Sequence, residues 1–217
     1  MKVSMNKMTS KEIAEIILIQ YLARTNKLSP LIVAIDGLSG SGKTTLVHQI
    51  ERELRDNDCK VVIIHIDDHI VERTKRYDTG FDEWYEYYYL QWDIEMLTNQ
   101  LLQSLRNNSR DLSLPFYDQT TDSLTTRQLS ISNNSIVLIE GIFLQRKEWK
   151  SFYDYILFLK CPREVRCERV LKRDKYIGDL EKRLNKYKRR YWPGEDYYLE
   201  AEKPIEHADK VIDILNN

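Results

Sequence analysis

The sequence predicts an α/β fold, with a doubly wound parallel sheet between two layers of helices. Three short apolar runs, rich in β-branched residues, are typical of strands that are buried on both faces: 31–35, 60–66 and 136–139. Longer stretches between these runs have the composition and spacing of helices. Strands that alternate with helices indicate a parallel sheet, because parallel neighbours need a crossover connection.

The remaining elements follow the same alternation. Two further strands are predicted at 155–159 and 211–215. The predicted helices are 10–25, 45–55, 82–105, 163–174 and 178–191, with a loop at 107–113. Thr9 and Glu12 have the spacing of a capping box, which supports the start of the first helix. No internal repeat or linker divides the chain, so we expect a single domain over 1–217.

Composition narrows the class of function. The chain has 217 residues, 33 Lys plus Arg and 34 Asp plus Glu, so its net charge of -1 gives no global attraction to nucleic acid or anionic membranes. The three cysteines form no CxxC pair and predict no disulfide framework. Glu12 and Glu15 interrupt the apolar N-terminal stretch, and no run is long enough to span a membrane. We expect a cytoplasmic protein, either a monomer or a homo-oligomer.

A glycine-rich loop after the first strand carries the clearest motif. Residues 37–44 read GLSGSGKT and match G-x-x-x-x-G-K-[ST] at every position. In such a loop backbone N–H groups cradle phosphate oxygens, the lysine reaches the β and γ phosphates, and the hydroxyl binds Mg²⁺. A strand before the loop and a helix after it complete the required context. The expected Mg-ATP site comprises Gly37, Ser39, Gly40, Ser41, Gly42, Lys43, Thr44 and Thr45.

Acidic residues stand at the ends of three predicted strands, where ligands collect in open α/β sheets. Asp67 directly follows the second strand and is the expected base for a hydroxyl substrate. Its neighbour Asp68 is expected to face solvent or cap a turn. Glu140 ends the third strand and is expected near Mg²⁺, directly or through water. For Asp36, after the first strand, a catalytic and a structural role both stay open.

Two further clusters have less specific signals. Arg166, Arg169 and Arg173 share one face of a basic helix, which fits either a solvated surface or a lid that contacts phosphates. We favour the lid for Arg169 and Arg173. The tyrosines between 85 and 89 are interpreted as packing residues, one of which could stack on substrate. His65 and His69 have no second ligand at metal-binding spacing, so neither is expected to bind a metal.

These motifs, with several shorter ones, resemble a known family. VAIDGLSGSGKTT, VVIIHIDDH, LPFYD, IVLIEGIF, REVRCERVLKRD and HADKVID occur in the order found in the uridine kinase branch of P-loop small-molecule kinases. This branch is related to phosphoribulokinase and bacterial pantothenate kinase, and the resemblance spans most of 31–214. It implies a three-layer α/β/α fold of the P-loop NTPase type with a basic helical lid at about 163–192. It also implies transfer of phosphate from ATP to a hydroxyl on a small molecule.

The resemblance assigns roles to individual residues. Asp67 matches the acid that activates the acceptor hydroxyl, and Glu140 matches the acid near Mg²⁺. Asp93 resembles an aspartate that binds sugar hydroxyls, with Asp82 as the alternative, and Tyr117 matches a tyrosine that contacts the substrate. Lid arginines that close over the phosphates match Arg169 and Arg173.

Some positions depart from the uridine kinase pattern. Asp122 stands where uridine kinases have a histidine, and Lys186 stands where a glutamine precedes the lid-helix tyrosine, here Tyr187. The lid segment itself is shortened to 175–179. The sequence therefore predicts an ATP-dependent kinase for a nucleoside-like or sugar-like metabolite. The alternatives are a kinase for another small alcohol, such as pantothenate or nicotinamide riboside, and a non-kinase P-loop ATPase switch.

Overall fold

Seven strands build two sheets in the structure, a computed structural model that describes residues 8–24, 29–132 and 134–214. The strands are β1 (Leu31–Gly37), β2 (Lys60–His65), β3 (Asp111–Asp118), β4 (Ser123–Ser130), β5 (Ser135–Gly141), β6 (Tyr155–Lys160) and β7 (Lys210–Asp213). Five of them form a parallel sheet in the order β2-β5-β1-β6-β7. The remaining two, β3 and β4, form a separate antiparallel hairpin.

Helices cover the parallel sheet on both faces. They are α1 (Ser10–Ala23), α2 (Lys43–Arg55), α3 (Arg73–Arg76), α4 (Glu83–Tyr89), α5 (Ile94–Leu97), α6 (Ser104–Arg106), α7 (Arg163–Arg173), α8 (Leu180–Lys186), α9 (Trp192–Glu202) and α10 (Pro204–His207). A π-helical segment, Thr98–Gln103, joins α5 to α6, and another, Tyr187–Tyr191, joins α8 to α9. Short 3₁₀ turns lie at Ile66–His69, Lys150–Phe152 and Lys175–Ile177.

The alternation of side chains along β1 explains the three layers. Val33 and Ile35 pack on one face of the sheet with residues of α1 and α2, such as Ile17 and Ile50. Ile32 and Ala34 point to the other face, where they join residues of α4, the α5–α6 helix and α9. Every residue of β1 and of β5 is buried, because each of these strands has neighbours on both edges and both faces. The predicted doubly wound sheet is confirmed.

The first helix agrees with its predicted start. Glu12 N–H donates to Thr9 Oγ1 at 3.2 Å, and Thr9 N–H donates to Glu12 Oε2 at 2.7 Å, which is the expected capping box. The helix ends at Ala23 rather than at residue 25, and residue 25 lies outside the described residues. Similarly, β7 covers Lys210–Asp213 in place of 211–215, and residue 215 is also outside the described part.

Three sequence predictions need correction. The single helix at 82–105 is wrong, because residues 90–93 interrupt it and Asp93 caps a new helix by accepting the N–H of Met96 at 2.9 Å. The loop predicted at 107–113 is wrong from Asp111 onward, where β3 begins. The helix predicted at 178–191 starts at Leu180, after the cap Asp179, and continues as helix to Glu202.

The sequence does not predict the hairpin of β3 and β4, because few of its residues are buried and the apolar pattern is therefore weak. Only Leu112 and Leu114 of β3 are buried, and most of β4 is exposed. None of the helices in the described ranges has both the length and the apolar character that crossing a membrane requires.

Candidate active site

The loop between β1 and α2 has the backbone conformation that a phosphate cradle needs. Gly40 and Gly42 have φ angles of 77° and 98°, in the left-handed region that favours glycine. Ser41 N–H donates to the carbonyl of Leu38 at 3.1 Å, which closes the turn, and α2 begins at Lys43. The hydroxyl of Ser41 is buried and has no partner among the described residues. Bends of this kind expose backbone N–H groups, so the loop fits an anionic phosphate chain.

Lys43 and Thr44 occupy the first turn of α2 and point toward the same edge of the sheet. Lys43 Nζ donates to the carbonyl of Leu38 at 3.2 Å, so the ammonium group lies over the loop. Thr44 Oγ1 donates to Glu140 Oε1 at 3.1 Å. The structure thus brings together the loop and the acid at the end of β5, as the sequence predicts for neighbouring parallel strands.

His65, for which the sequence predicts no metal-binding role, completes this group. His65 is opposite Glu140 in the register of β2 and β5, and its Nδ1 lies 2.7 Å from Glu140 Oε1. Burial opposes ionisation of Glu140, but the hydrogen bond with His65 and the charge of Lys43 outweigh it and lower the pKa of Glu140. The same hydrogen bond raises the pKa of His65. Glu140 is therefore held as a carboxylate next to the loop.

Asp67 lies in the 3₁₀ turn that follows β2. Its side chain is accessible to solvent, yet protein surrounds it on several sides, and this desolvation raises its pKa. The charges of Lys43 and Arg173 act in the opposite direction, while Glu140 adds to the rise. Asp68 is exposed, as predicted. The two acids at the ends of β2 and β5 therefore have pKa values that move in opposite directions.

The open question about Asp36 has a structural answer. Its side chain is fully buried and accepts hydrogen bonds from Gly37 N–H at 2.8 Å, from Gln145 Nε2 at 3.0 Å and from the hydroxyl of Tyr198. The Tyr198 hydroxyl in turn accepts the N–H of Gln145 at 3.0 Å. This network fixes the start of the loop and leaves Asp36 no access to a substrate.

A buried ion pair supports the loop from below. Arg166 NH1 lies 2.8 Å from Glu195 Oε2, and both side chains are at most 5% exposed. Glu195 Oε1 accepts the N–H of Ser39 at 2.9 Å, and Arg166 donates to the carbonyl of Ser39 at 3.3 Å. The pair joins α7 and α9 to the loop. Sequence spacing had placed Arg166 on the same face as two other arginines, but it could not reveal a partner 29 residues away.

The two arginines predicted for the lid lie on α7, next to the loop. Arg169 NH1 donates to the carbonyl of Gly40 at 3.2 Å, and its side chain is exposed. Arg173 forms two hydrogen bonds with Asp174, at 2.6 and 3.2 Å, and this carboxylate raises its pKa further. The charge of Arg173 also reaches Asp67. Their contact with phosphates stays a prediction.

The residues predicted to contact the acceptor are spread over a wider area. Tyr117 on β3 donates its hydroxyl to Asp122 Oδ1 at 2.8 Å, and Arg73 N–H donates to the same oxygen at 3.0 Å. Asp93 is an exposed helix cap. Asp82 is also exposed and precedes α4, but its side chain makes no capping hydrogen bond. A substrate role for any of these three stays a prediction.

The tyrosines of α4 are mainly packing residues, as interpreted from the sequence. Tyr87 and Tyr88 are buried and contact Phe143 edge to face, with ring centroids 5.1 and 5.0 Å apart. Tyr87 also reaches the loop, since its hydroxyl lies 3.3 Å from Ser39 Oγ.

His69 is buried, with Nδ1 2.7 Å from the carbonyl of Pro115.

The site fits ATP and Mg²⁺ by its donor set. Thr44 and Glu140 would hold the ion directly or through water, and the described residues contain no group of three His, Cys, Asp or Glu side chains that could form a metal cage. One or two protein ligands are enough for Mg²⁺, because this ion usually keeps several waters and also binds the phosphates of its nucleotide.

Fold and loop together define the class of protein. A phosphate-binding loop between β1 and α2 of a parallel three-layer fold, with acids at the adjacent strand ends, is the architecture of a P-loop kinase. Residues 32–190 match the model of the Phosphoribulokinase / Uridine kinase family. The chain belongs to this family.

Individual relatives agree with this assignment. The chain is 27% identical over 191 residues to a uridine kinase of Lactobacillus helveticus, covering 84% of this chain and 86% of the relative. It is 29% identical over 189 residues to a uridine kinase of Borrelia duttonii, covering 83% and 85%. A solved structure described as a possible uridine kinase from Bacillus stearothermophilus is 44% identical, with a TM-score of 0.78 over 95% of this chain and 100% of that one.

Proposed function

We propose that this kinase transfers the γ-phosphoryl group of ATP to a hydroxyl group of a nucleoside-like or sugar-like metabolite, with Asp67 as the general base. The bond between the γ-phosphorus and the bridging oxygen of ADP breaks as a bond forms to the acceptor oxygen. The acceptor's hydroxyl proton passes to an oxygen of Asp67. ADP and the phosphate ester leave, and Asp67 returns the proton to solvent.

Each part of the site has a task in this scheme. Lys43 and the loop N–H groups hold the phosphates, and Arg169 and Arg173 are proposed to complete the positive surroundings when the lid closes. A Mg²⁺ ion bound with the nucleotide would neutralise charge on the β and γ phosphates. Thr44 and Glu140 are the residues suited to hold it. A closed lid would also exclude water and so limit ATP hydrolysis.

The observation that carries the proposal is the contrast between Asp67 and Glu140. Both acids lie at strand ends beside the loop, but desolvation raises the pKa of Asp67, whereas the hydrogen bond with His65 and the charge of Lys43 lower the pKa of Glu140 against the effect of burial. A raised pKa makes a carboxylate a stronger base, and a lowered pKa keeps a carboxylate charged beside a cation. The two acids are thus suited to different roles.

The identity of the acceptor is a finer question. The relatives in Lactobacillus helveticus and Borrelia duttonii are named uridine kinases, which supports a nucleoside. Asp122 supports a different small alcohol, because it replaces the histidine of the uridine kinase pattern and is engaged by Tyr117 and Arg73. A kinase for pantothenate or nicotinamide riboside is therefore the second candidate.

ADP release from Mg-ATP, measured with and without a panel of nucleosides, sugars and vitamins, tests the proposal. Stimulation by one acceptor, together with a phosphorylated product, is the expected result. Turnover of ATP that is equally fast with every acceptor and with none would support the alternative, a P-loop ATPase that activates water.

A further inference from the structure

Arg76, the last residue of α3, differs from the other buried arginines in the described part of the chain. Four arginines there are at most 5% exposed. Three of them have a carboxylate partner: Arg146 with Glu148, Arg166 with Glu195 and Arg190 with Glu86. Arg76 has none, since no carboxylate of the described residues lies within 4 Å of its guanidinium group. Removing a cation from water without an anionic partner is costly, so an unpaired buried arginine points to an anion that is bound from outside.

The terminal nitrogens of Arg76 are free to meet such an anion. Its Nε donates to the carbonyl of Val71 at 2.7 Å, which orients the side chain. The other two nitrogens donate no hydrogen bond to the described residues. Both nitrogens also keep some contact with solvent. Among the described residues, Arg190 Nε is the only arginine nitrogen that is fully buried and has no hydrogen-bond partner. A guanidinium group that is anchored at Nε and open at its fork suits a carboxylate or a phosphate.

Aromatic rings hold this guanidinium group beside the predicted acceptor residues. Its central carbon lies 4.9 Å from the ring centre of Tyr77 and 5.1 Å from that of Tyr117. The hydroxyl of Tyr117 and the N–H of Arg73 both donate to Oδ1 of the nearby Asp122. The hydrogen bond from Arg73 lowers the pKa of Asp122, and the charge of Arg76 adds to this effect, but the carboxylate lies more than 4 Å from the guanidinium group and forms no ion pair with it.

A second cation without an ionic partner among the described residues lies over the ring of Tyr77. Lys186 Nζ is 4.7 Å from the ring centre, and no carboxylate in the described part of the chain lies within 4 Å of it. Burial opposes ionisation of Tyr77, but the charges of Arg190, Lys186 and Arg76 outweigh it and lower the pKa of this phenol. Positive charge from three side chains, Arg76, Lys186 and Arg190, is therefore concentrated around the ring of Tyr77.

Packing contacts connect this cluster to the phosphate loop. The hydroxyl of Tyr87 lies 3.3 Å from Ser39 Oγ in the loop, and the guanidinium carbon of Arg190 lies 5.9 Å from the ring centre of Tyr87 and 4.0 Å from that of Tyr77. Arg190 also donates to the backbone carbonyl of Arg76 at 2.9 Å. The cations around Tyr77 are therefore linked to the loop through Arg190 and Tyr87.

We propose that Arg76, with Lys186, binds an anionic group of the acceptor, a carboxylate or a phosphate, so that the substrate is an acidic small alcohol. This inference rests on the proposed phosphoryl transfer at Asp67 and narrows its substrate class. An acceptor of this kind would place its anion at the terminal nitrogens of Arg76, with Lys186 as a further positive charge beside Tyr77, and its hydroxyl at Asp67.

Matched acceptors test the proposal directly. ADP release is measured with pairs that differ by one anionic group: glycerol and glycerate, panthenol and pantothenate, ribose and ribose 5-phosphate, with uridine as the neutral nucleoside. We expect a preference of tenfold or more in kcat/KM for the anionic member of at least one pair. The pair that shows this preference indicates whether the anionic group is a carboxylate or a phosphate. Arg76→Gln should remove that preference mainly by raising KM, whereas Arg76→Lys should keep part of it.

Arg127→Gln is the matched control. Arg127 also lies over an aromatic ring of the hairpin, 4.6 Å from the centre of Phe116, but its side chain is exposed. Loss of its charge should leave the preference intact. If uridine or the neutral members react as well as the anionic ones, and Arg76→Gln changes nothing, the inference is wrong while the proposed kinase function stands. A lack of stimulation by every acceptor counts against the proposed function instead.

A binding measurement decides the inference without turnover. With the loop filled by Mg-ADP, inorganic phosphate, glycerate and pantothenate are each tested for their effect on the melting temperature. At least one should raise it in the wild type and raise it clearly less in Arg76→Gln. Equal shifts in both proteins for all three anions would overturn the role of Arg76. Because the cation lacks an ionic partner, Arg76→Gln is expected to fold, and Arg76→Lys repeats the comparison with the charge retained.

Discussion

His65 and Glu140 face each other across neighbouring parallel strands, with Nδ1 of the histidine 2.7 Å from Oε1 of the acid. The same oxygen accepts the hydroxyl of Thr44. This contact links the strand that leads to Asp67 with the helix that begins at the phosphate loop. Because Glu140 is the proposed neighbour of Mg²⁺, His65 is a residue that orients it, in the way that outer partners orient metal ligands.

His65→Ala should lower the free energy of unfolding by about 1 kcal/mol, the usual value of a partly buried hydrogen bond. The raised pKa of His65 gives stability that is fully present below its ordinary value of 6.5 and is lost as the pH rises through the raised value. The lowered pKa of Glu140 gives stability that is present above 4.5 and is lost as the pH falls through the lowered value. The difference in unfolding free energy between wild type and His65→Ala should therefore be largest between pH 4.5 and pH 6.5.

Urea unfolding of both proteins in this window and at about pH 9 measures that difference. His207→Ala is the control for the loss of a histidine, because this exposed side chain lies 2.9 Å from the backbone carbonyl of Glu202 and not beside a carboxylate of the described residues. A His65→Ala difference that is the same at both pH values would contradict the account of this pair.

Glu195→Ala should destabilise the protein by about 3–5 kcal/mol, because it leaves the buried guanidinium of Arg166 without its carboxylate. The neighbouring substitution Asp196→Ala removes the partner of Arg163 on the same two helices, but that pair is exposed and should contribute about 1 kcal/mol or less. Chemical denaturation of the two variants measures the contrast. Equal effects would show that burial of the first pair has no energetic consequence.

Gly40→Ala should weaken nucleotide binding. A Cβ there would lie 2.8 Å from the carbonyl oxygen of Arg166 and 2.8 Å from a methyl group of Val170, so the loop would have to move. Gly80→Ala is the matched control, since its φ of 90° is also left-handed but a Cβ would meet no atom within 4 Å. Both variants carry similar backbone strain, about 1–3 kcal/mol, and only the first should lose affinity for Mg-ATP by calorimetry. If Gly40→Ala and Gly80→Ala bound Mg-ATP equally well, the phosphates would not lie in this loop.

Most of the parallel sheet could be predicted from the sequence, because β1 and β5 are buried on both faces and therefore read as unbroken apolar runs. The acids at the ends of β2 and β5 followed from the same reasoning, since the carboxyl ends of parallel strands share one edge. The hairpin of β3 and β4 could not be found in this way. It has one weakly buried face, and its stability depends on packing against the rest of the chain.

The supporting contacts of the site were beyond the sequence for a different reason. His65 meets Glu140 only through the register of two strands that are 75 residues apart in the chain. Arg166 meets Glu195 through the packing of two helices on the loop. The sequence shows that Arg76 is charged, but only the structure shows that it is buried and without a carboxylate partner among the described residues.

The pH dependence of phosphoryl transfer should carry the signature of Asp67. A base acts in its ionised form, so kcat should rise as the pH increases through the pKa of Asp67, and desolvation places this pKa above the ordinary value of 3.8. A pH–rate profile measured with saturating Mg-ATP and acceptor reports it. An acid limb at or below 3.8 would show that the group in control is not this aspartate.

Acceptor-dependent ADP release by Asp67→Asn, compared with Asp68→Asn, is the decisive measurement for the general base. Asp67→Asn is expected to keep its affinity for Mg-ATP and to lose about 10²–10⁴-fold in kcat, the usual contribution of a general base. The adjacent Asp68 is also exposed but has no role in the proposed transfer, so it should tolerate the same change with little loss. Full transfer activity in Asp67→Asn would contradict the assignment of the base and, with it, the proposed mechanism.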